Sequence, residues 1–128
     1  MATLDDLTET SGNLIAADKV AGTSVYNNAG EKLGDVEDVM IDKRSGRIAY
    51  AVLSFGGFLG LGDKHYPVPW STMTYDPGLG GYRVNLDRKM LEGAPAYSGD
   101  EQIRWEDEAW ARRVHDYYKA DPYWSVGP

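Results

Sequence analysis

Residues 30–42 read Gly-Glu-Lys-Leu-Gly-Asp-Val-Glu-Asp-Val-Met-Ile-Asp, and residues 47–55 read Arg-Ile-Ala-Tyr-Ala-Val-Leu-Ser-Phe. The polar connector Lys-Arg-Ser-Gly, residues 43–46, separates these two β-rich runs and ends in glycine. Two such runs around a short polar turn are typical of a β-hairpin. We expect the rest of the chain to be organised around this hairpin.

The first run does not alternate strictly between apolar and polar residues. Val36 and Ile41 are five positions apart, so they cannot share a face of a regular strand. One inserted residue would restore the register. We therefore predict a β-bulge near Glu37 and Asp38, which would also bend the sheet.

The second run is apolar on both faces. One face would carry Ile48, Tyr50 and Val52, and the other would carry Ala49, Ala51, Leu53 and Phe55. A strand of this kind is typical of a central strand that is covered twice. A bent hairpin that contains such a strand fits a small closed or nearly closed barrel.

Other short runs raise the count to about six strands within residues 22–86. Residues 64–70 read as a strand, and Pro67 and Pro69 place it at a sheet edge or at the start of pairing because proline cannot donate a ladder hydrogen bond. Residues 73–76 and 81–86 flank a turn at residues 77–80. Residues 14–20 form either a strand or a helical turn.

The C-terminal third predicts helix. Asp87 can cap a short turn at residues 88–91. Ser98 and Glu101 fit a capping box before helical spacing over residues 102–119, with an ion pair from Glu108 to Arg112. One face of this helix carries Ile103, Trp110, Val114 and Tyr117. The fold class is all-β, a small barrel with a C-terminal α-helical extension. A flexible arm at residues 1–13 precedes the barrel at 14–92, and the extension with its aromatic tail covers 93–128.

Size, charge and cysteine content exclude several functional classes. The chain has 128 residues, which suits one domain, and a formal charge of −7 that repels nucleic acid and anionic lipid. It has no cysteine, so disulfides and thiolate chemistry are excluded. It shows neither a secretory signal nor an apolar run near the ~20 residues that a membrane span needs. We expect a soluble cytoplasmic protein with no membrane or nucleic-acid partner.

Three ordered motifs resemble the PRC-barrel family. They are the run from Val20 to Asp42, the strand from Gly46 to Gly57, and Tyr-Pro-Val-Pro-Trp at residues 66–70. The similarity covers roughly residues 18–88, and residues 91–97 look like the end of free-standing bacterial members. The family includes the cytoplasmic domain of the photosynthetic reaction-centre H subunit and the C-terminal domain of a ribosome-maturation factor. The resemblance implies a small β-barrel used for protein interaction or scaffolding, with no common catalytic residue set. This chain lacks the membrane span of the first relative and the extra barrel domain of the second, so neither specific role is carried over.

Several sets of residues that could form a metal, catalytic or phosphate site also have simpler structural interpretations. Asp35, Glu37, Asp38 and Asp42 offer oxygen ligands for calcium or magnesium, but their spacing fits no calcium loop, and we interpret them as a solvated, edge-protecting face. His65 and His115 are the only histidines, and we expect both at the surface or half buried. The glycines of residues 56–62 are not followed by the Lys and Ser/Thr of a phosphate loop. We predict no catalytic, cofactor-binding or metal-binding residue, and no cofactor.

The predicted interaction surface has two parts. The tip of the glycine loop carries Phe58, Leu59 and Leu61, which either fold over a barrel mouth or contact another chain. The helix and tail carry Trp105, Trp110, Tyr117, Tyr118 and Trp124, beside Tyr123. This aromatic stripe either packs on its own barrel or on a second copy, or forms a binding surface.

These features predict a non-enzymatic protein-interaction or scaffolding module that binds an unidentified protein partner and forms a homodimer. One alternative is a barrel that binds a small ligand or metal at its mouth, near His65, Trp70 and the glycine loop. Another is an accessory factor in ribosome assembly that contacts a basic ribosomal protein.

Overall fold

The computed structural model of the protein describes residues 14–55, 64–98 and 105–125. These residues form six strands, three helices and two 3₁₀ turns. The strands are β1 (Ser24–Tyr26), β2 (Lys32–Ile41), β3 (Ile48–Ser54), β4 (His65–Pro69), β5 (Thr74–Asp76) and β6 (Gly81–Arg83). The helices are α1 (Ala17–Val20), α2 (Arg88–Glu92) and α3 (Glu108–Tyr118), and the 3₁₀ turns are Trp70–Thr72 and Tyr123–Ser125.

The strands form one sheet in the order β4-β3-β2-β1-β6-β5. All neighbours are antiparallel except β1 and β6. The edge strands β4 and β5 are consecutive in the chain and are joined by residues 70–73, a link that spans at most about 18 Å. The sheet must therefore curl until its two edges approach each other. The prediction of about six strands is confirmed. In the described part of the chain no ladder joins β4 to β5, so the sheet is curled but open.

The predicted β-bulge is confirmed at Glu37. Val36 pairs with Leu53 and Asp38 with Val52, which leaves Glu37 as the extra residue. Val36 and Val39 consequently point to the same face and both pack in the main core. Ile41 follows a second irregularity and is 47% exposed, so the grouping of Ile41 with Val36 was wrong although the bulge itself is present.

The central position of β3 is also confirmed. The strand lies between β4 and β2, and its five middle residues are buried. Ala51, Leu53 and the following Phe55 belong to the main core inside the curled sheet. Tyr50 points to the outer face, where the C-terminal segment covers it. Two-sided coverage accounts for a strand that is apolar on both faces.

β4 is an edge strand, as its prolines predict. Pro69 pairs with Tyr50 and Pro67 with Val52 on β3. The other side of β4 begins with a single bridge to Tyr97, in which His65 N–H donates to the Tyr97 carbonyl at 2.8 Å and Tyr97 N–H donates back at 3.0 Å. This bridge attaches the chain that follows α2 to the edge of the sheet.

The helices agree with the sequence in part. Asp87 caps α2 by accepting from Met90 N–H at 2.8 Å, and residues 14–20 contain the helical turn α1 rather than a strand. The start predicted for the long helix was wrong, because α3 begins at Glu108 and residues 105–106 form a turn. Asp107 is the actual N-cap and accepts from the backbone N–H groups of residues 109 and 110. The predicted ion pair of Arg112 and Glu108 is confirmed at 2.7 Å.

Several predicted features lie outside the described residues. They are the N-terminal arm at residues 1–13, the glycine loop at residues 56–62 with Phe58, Leu59 and Leu61, Glu101 of the predicted capping box, and Ile103 of the predicted helix face.

Replacing Gly34 with alanine is expected to destabilise the fold. The new Cβ would overlap the Ser54 carbonyl oxygen and lie 2.9 Å from Phe55 Cδ1, and the oxygen belongs to a strand paired on both sides. We expect the free energy of unfolding, measured by urea denaturation, to fall by roughly 1–3 kcal/mol. Gly78→Ala is the control, because its Cβ would meet only a flexible Asp76 carboxylate oxygen at 3.2 Å. Equal losses in the two variants would contradict the steric argument.

Candidate functional site

The C-terminal segment packs on the outer face of its own sheet. The rings of Trp105, His115 and Tyr123 surround Tyr50, with centroids 5.7, 5.3 and 5.6 Å from the Tyr50 ring. We call this group the outer cluster; its members are Ala49, Tyr50 and Val114, with Met40, Trp105, Trp110, Tyr118 and Tyr123 packed against them and His115 in ring contact. Of the possibilities that the sequence leaves open for the aromatic stripe, packing on the chain's own sheet is the one that the structure shows.

His115 holds the last turn of the described chain against α3. Its Nδ1 donates to the Ala111 carbonyl at 2.8 Å, and its Nε2 accepts from the backbone N–H of Tyr123 at 3.3 Å. Because a carbonyl can only accept and an amide N–H can only donate, these bonds fix a neutral ring protonated at Nδ1. The side chain is only 1% exposed, so the expectation of a surface or half-buried histidine was wrong. Both nitrogens bind backbone groups, which allows this polar ring to be buried.

Two tyrosine hydroxyls of this region are buried without a hydrogen-bond partner. They belong to Tyr50 and Tyr118. Burial raises the pKa of both residues well above its ordinary value, and Tyr123 adds to the effect at Tyr50. Both groups are therefore neutral across the physiological pH range, and each leaves part of its hydrogen-bonding capacity unused.

An open groove of about 820 Å³ lies between the β2–β3 connection, the β4–β5 connection and the Tyr123–Ser125 turn. Ala49 and His115, both buried, are among its innermost residues. We call it the aromatic groove; its other lining residues are Asp42, Ser45, Arg47, Ile48, Pro69, Trp70, Ser71, Asp121, Tyr123 and Trp124. Apolar and aromatic side chains with a few polar groups at the margin are typical of a binding site.

A smaller hollow of about 300 Å³ lies on the other side of Tyr123 and Trp124. We call it the acidic hollow; it is lined by Trp105, Glu106, Asp107, Glu108, Ala111, Tyr123 and Trp124. Trp124 is 42% exposed and borders both cavities. The guanidinium of Arg112 lies 5.8 Å from the Trp124 ring centroid and stacks on this ring from α3.

The part of the sequence that forms the curled sheet matches a known family of domains. The family model of the PRC-barrel domain matches residues 12–91, which include all six strands and all of α2 except its last residue. The chain belongs to the PRC-barrel domain family. No curated protein matches the sequence. The family match ends before residues 105–125, so the aromatic groove lies where the PRC-barrel domain meets the C-terminal segment, and the acidic hollow is lined by the C-terminal segment alone.

The predicted interaction residues divide into separate groups on this PRC-barrel protein. Trp105 and Trp124 meet at the acidic hollow, and Trp110 packs on Trp105 with centroids 5.8 Å apart. Tyr118 packs between the main core and the outer cluster, while the Tyr117 hydroxyl donates to the Met90 carbonyl. Groove residues such as Asp42, Arg47 and Ile48 were not predicted, because no local pattern connects the β2–β3 turn with the tail.

His65 and Trp70 do not form the predicted joint site at a barrel mouth. They lie at opposite ends of β4, and Trp70 lines the aromatic groove whereas His65 does not. His65 Nδ1 lies 2.7 Å from Glu37 Oε2, and the ring stacks on Tyr97 with centroids 4.9 Å apart. Burial, and then the charges of Glu37 and Asp38, raise the pKa of Tyr97. His65 thus belongs to the contact that attaches residue 97 to the sheet.

The acidic residues of β2, and Asp42 directly after it, contact backbone N–H groups and neighbouring side chains. Asp38 accepts from the N–H of Val39 at 2.8 Å, Asp42 accepts from that of Arg44 at 2.9 Å, and Asp35 lies 3.4 Å from Lys32 Nζ. The described residues contain no group of three side chains able to hold a metal ion. The edge-protecting interpretation was wrong, because β2 lies inside the sheet between β1 and β3.

The described residues also contain no helix that is long and apolar enough to cross a bilayer.

Alkaline pH is expected to destabilise this PRC-barrel protein through Tyr50 and Tyr118. Their folded pKa values lie above the unfolded value of about 10, so the unfolded chain loses these protons first as the pH rises. The contribution of these two protonated tyrosines to the free energy of unfolding is complete below pH ~10. Above that pH it falls by about 1.4 kcal/mol per pH unit for each tyrosine. Urea denaturation between about pH 9 and 11.5 measures this slope.

Tyr50→Phe tests whether the Tyr50 hydroxyl contributes to this loss of stability at alkaline pH. The free energy of unfolding of the variant should fall less steeply with pH, by about 1.4 kcal/mol per pH unit, because one phenol with a strongly raised pKa is gone. Tyr26→Phe, which changes a half-buried tyrosine on β1, is the control. If the free energy of unfolding of Tyr50→Phe fell with pH as steeply as that of the unchanged protein, the contribution of Tyr50 would be contradicted.

Proposed function

We propose that this PRC-barrel protein is a non-enzymatic protein-interaction module of the cytoplasm, which uses its barrel-like sheet as a scaffold for a binding face on the C-terminal segment. The observation that carries the proposal is the aromatic groove, which remains open although the C-terminal segment packs over Tyr50 on the outer face of β3. A tryptophan that is 42% exposed at its border is typical of the anchors on which protein interfaces depend.

Family membership supports the same conclusion, because the PRC-barrel domain is known as a protein-interaction module. The described side chains also favour binding over catalysis. His65 pairs with Glu37, and both ring nitrogens of His115 bind backbone groups, so the histidines serve structural contacts. The negative net charge favours a protein partner over nucleic acid or an anionic membrane.

Self-association is part of the proposal. Phe58, Leu59 and Leu61 are three bulky apolar residues within four positions, and a contact between two copies that buries such side chains would stabilise a homodimer. Light scattering at high micromolar concentration is expected to give the mass of a dimer, and the triple variant in which all three become serine is expected to give that of a monomer. A monomer mass for the unchanged protein at that concentration would contradict self-association.

A second candidate function is the binding of a small ligand in the aromatic groove. Its volume of about 820 Å³ lies within the range of roughly 300–1,000 Å³ that small-molecule sites occupy. The interaction module is favoured because the groove is open along one side, whereas small ligands are usually bound in sites that enclose most of their surface.

Affinity capture from the native host's lysate under mild cross-linking tests the proposed function. The unchanged protein is expected to retain one specific protein, which the Trp124→Ala variant loses, or a second copy of itself, which the Phe58→Ser, Leu59→Ser, Leu61→Ser variant loses. The control variant carries Ile41→Ser and Met90→Ser, which remove two exposed apolar side chains elsewhere. Enrichment of nothing beyond background by the unchanged protein would contradict the interaction module.

A further inference from the structure

Tyr123 and Trp124 separate two cavities of different character. On one side the aromatic groove offers apolar surface from Ile48, Ala49, Pro69 and Trp70. On the other side the acidic hollow combines aromatic rings with the carboxylates that begin α3. Because both rings line both cavities, the two form one continuous face across the Tyr123–Ser125 turn.

The charge of this face is negative. Five carboxylates line the two cavities, those of Asp42, Asp121, Glu106, Asp107 and Glu108. Two guanidinium groups oppose them, Arg47 in the groove and Arg112, which pairs with Glu108 at 2.7 Å. Five negative and two positive groups leave a formal excess of three negative charges on a chain whose total is −7. A positively charged partner would therefore be attracted both at long range and at the site.

The acidic hollow has the chemistry of a cation site. Tryptophan is the aromatic ring that attracts a cation most strongly, and the chain's own Arg112 already stacks on Trp124. Glu106 is exposed and makes no ion pair with any described residue. A volume of about 300 Å³ suits one long side chain, whose alkyl part would contact Trp105 and Tyr123 while its charge meets Glu106.

The negative charge of this face also discriminates between possible binding partners. A second copy bound symmetrically through this face would bring the same carboxylates against each other, which is unfavourable. Nucleic acid and anionic lipid are repelled for the same reason. An extended segment with both apolar and basic side chains matches both cavities.

We infer that this face binds a basic segment of a protein partner, with an apolar side chain in the aromatic groove and a lysine or arginine in the acidic hollow. The inference rests on the proposed function and assigns to it a partner class and a surface. The homodimer contact then belongs to a different face of the protein.

Fluorescence anisotropy with defined peptides tests the inference. The probe is a fluorescein-labelled peptide of alternating leucine and arginine, and the comparison peptide has glutamate in place of arginine. The arginine peptide is expected to bind, with an affinity that falls as salt is added. The glutamate peptide is expected not to bind.

Variants locate the binding face. Glu106→Gln with Asp121→Asn is expected to weaken binding of the arginine peptide by about tenfold or more, because it removes one carboxylate from each cavity. The control, Asp18→Asn with Glu31→Gln, removes the same two negative charges at residues that line neither cavity, and its affinity is expected to stay within about twofold. Trp124→Ala should also weaken binding. Circular dichroism confirms that each variant is folded.

Three outcomes would overturn the inference: no binding of the arginine peptide, equal binding of the two peptides, or equal losses in the site and control variants. Affinity capture separates such a failure from that of the proposed function. If a partner is captured and the Glu106→Gln, Asp121→Asn variant keeps it, the interaction module stands and this docking face is wrong. If the unchanged protein captures nothing, the proposed function itself fails.

Discussion

The extra residue Glu37, where β2 pairs with β3, is the constraint on which the curvature of the sheet depends. Glu37 has no partner on β3, so β2 bends there and its apolar residues on both sides of the bulge reach the same core. The curled hairpin brings the two edges of the sheet close enough for the short chain of residues 70–73 to join them. It also leaves a convex outer face over β3 that another layer must cover.

That cover comes from the chain's own C-terminal segment, and it makes the folding unit larger than the family domain. The family match ends at residue 91, yet the outer face of β3 is buried by residues 105–125. Three kinds of contact hold this layer: Tyr97 bridged to His65, the rings around Tyr50, and the bonds of His115. A boundary drawn at the end of the matched domain would leave Ala49 and Tyr50 in water.

Features with a local signal could be predicted from the sequence, and features that depend on distant contacts could not. The bulge, the proline-marked edge strand and the Asp87 cap each follow from a few neighbouring residues. The start of α3 was mistaken because Ser98 and Asp107 are both good caps, and sequence alone does not decide between them. The burial of His115 depends on Tyr50, 65 positions earlier in the chain. The aromatic groove likewise joins three distant segments, so only its aromatic residues Trp70, Tyr123 and Trp124 were singled out from the sequence.

The distribution of tryptophan gives the protein a built-in optical probe of one layer. Three of the four tryptophans, Trp105, Trp110 and Trp124, lie in the C-terminal segment, and Trp70 lines the groove beside it. Intrinsic fluorescence therefore reports mainly on the seam between this segment and the sheet, whereas far-ultraviolet circular dichroism reports on the strands and helices of the whole chain. Coincident transitions in the two signals would mean that the layer and the sheet unfold as one cooperative unit, and a fluorescence change at lower denaturant would mean that the layer detaches first.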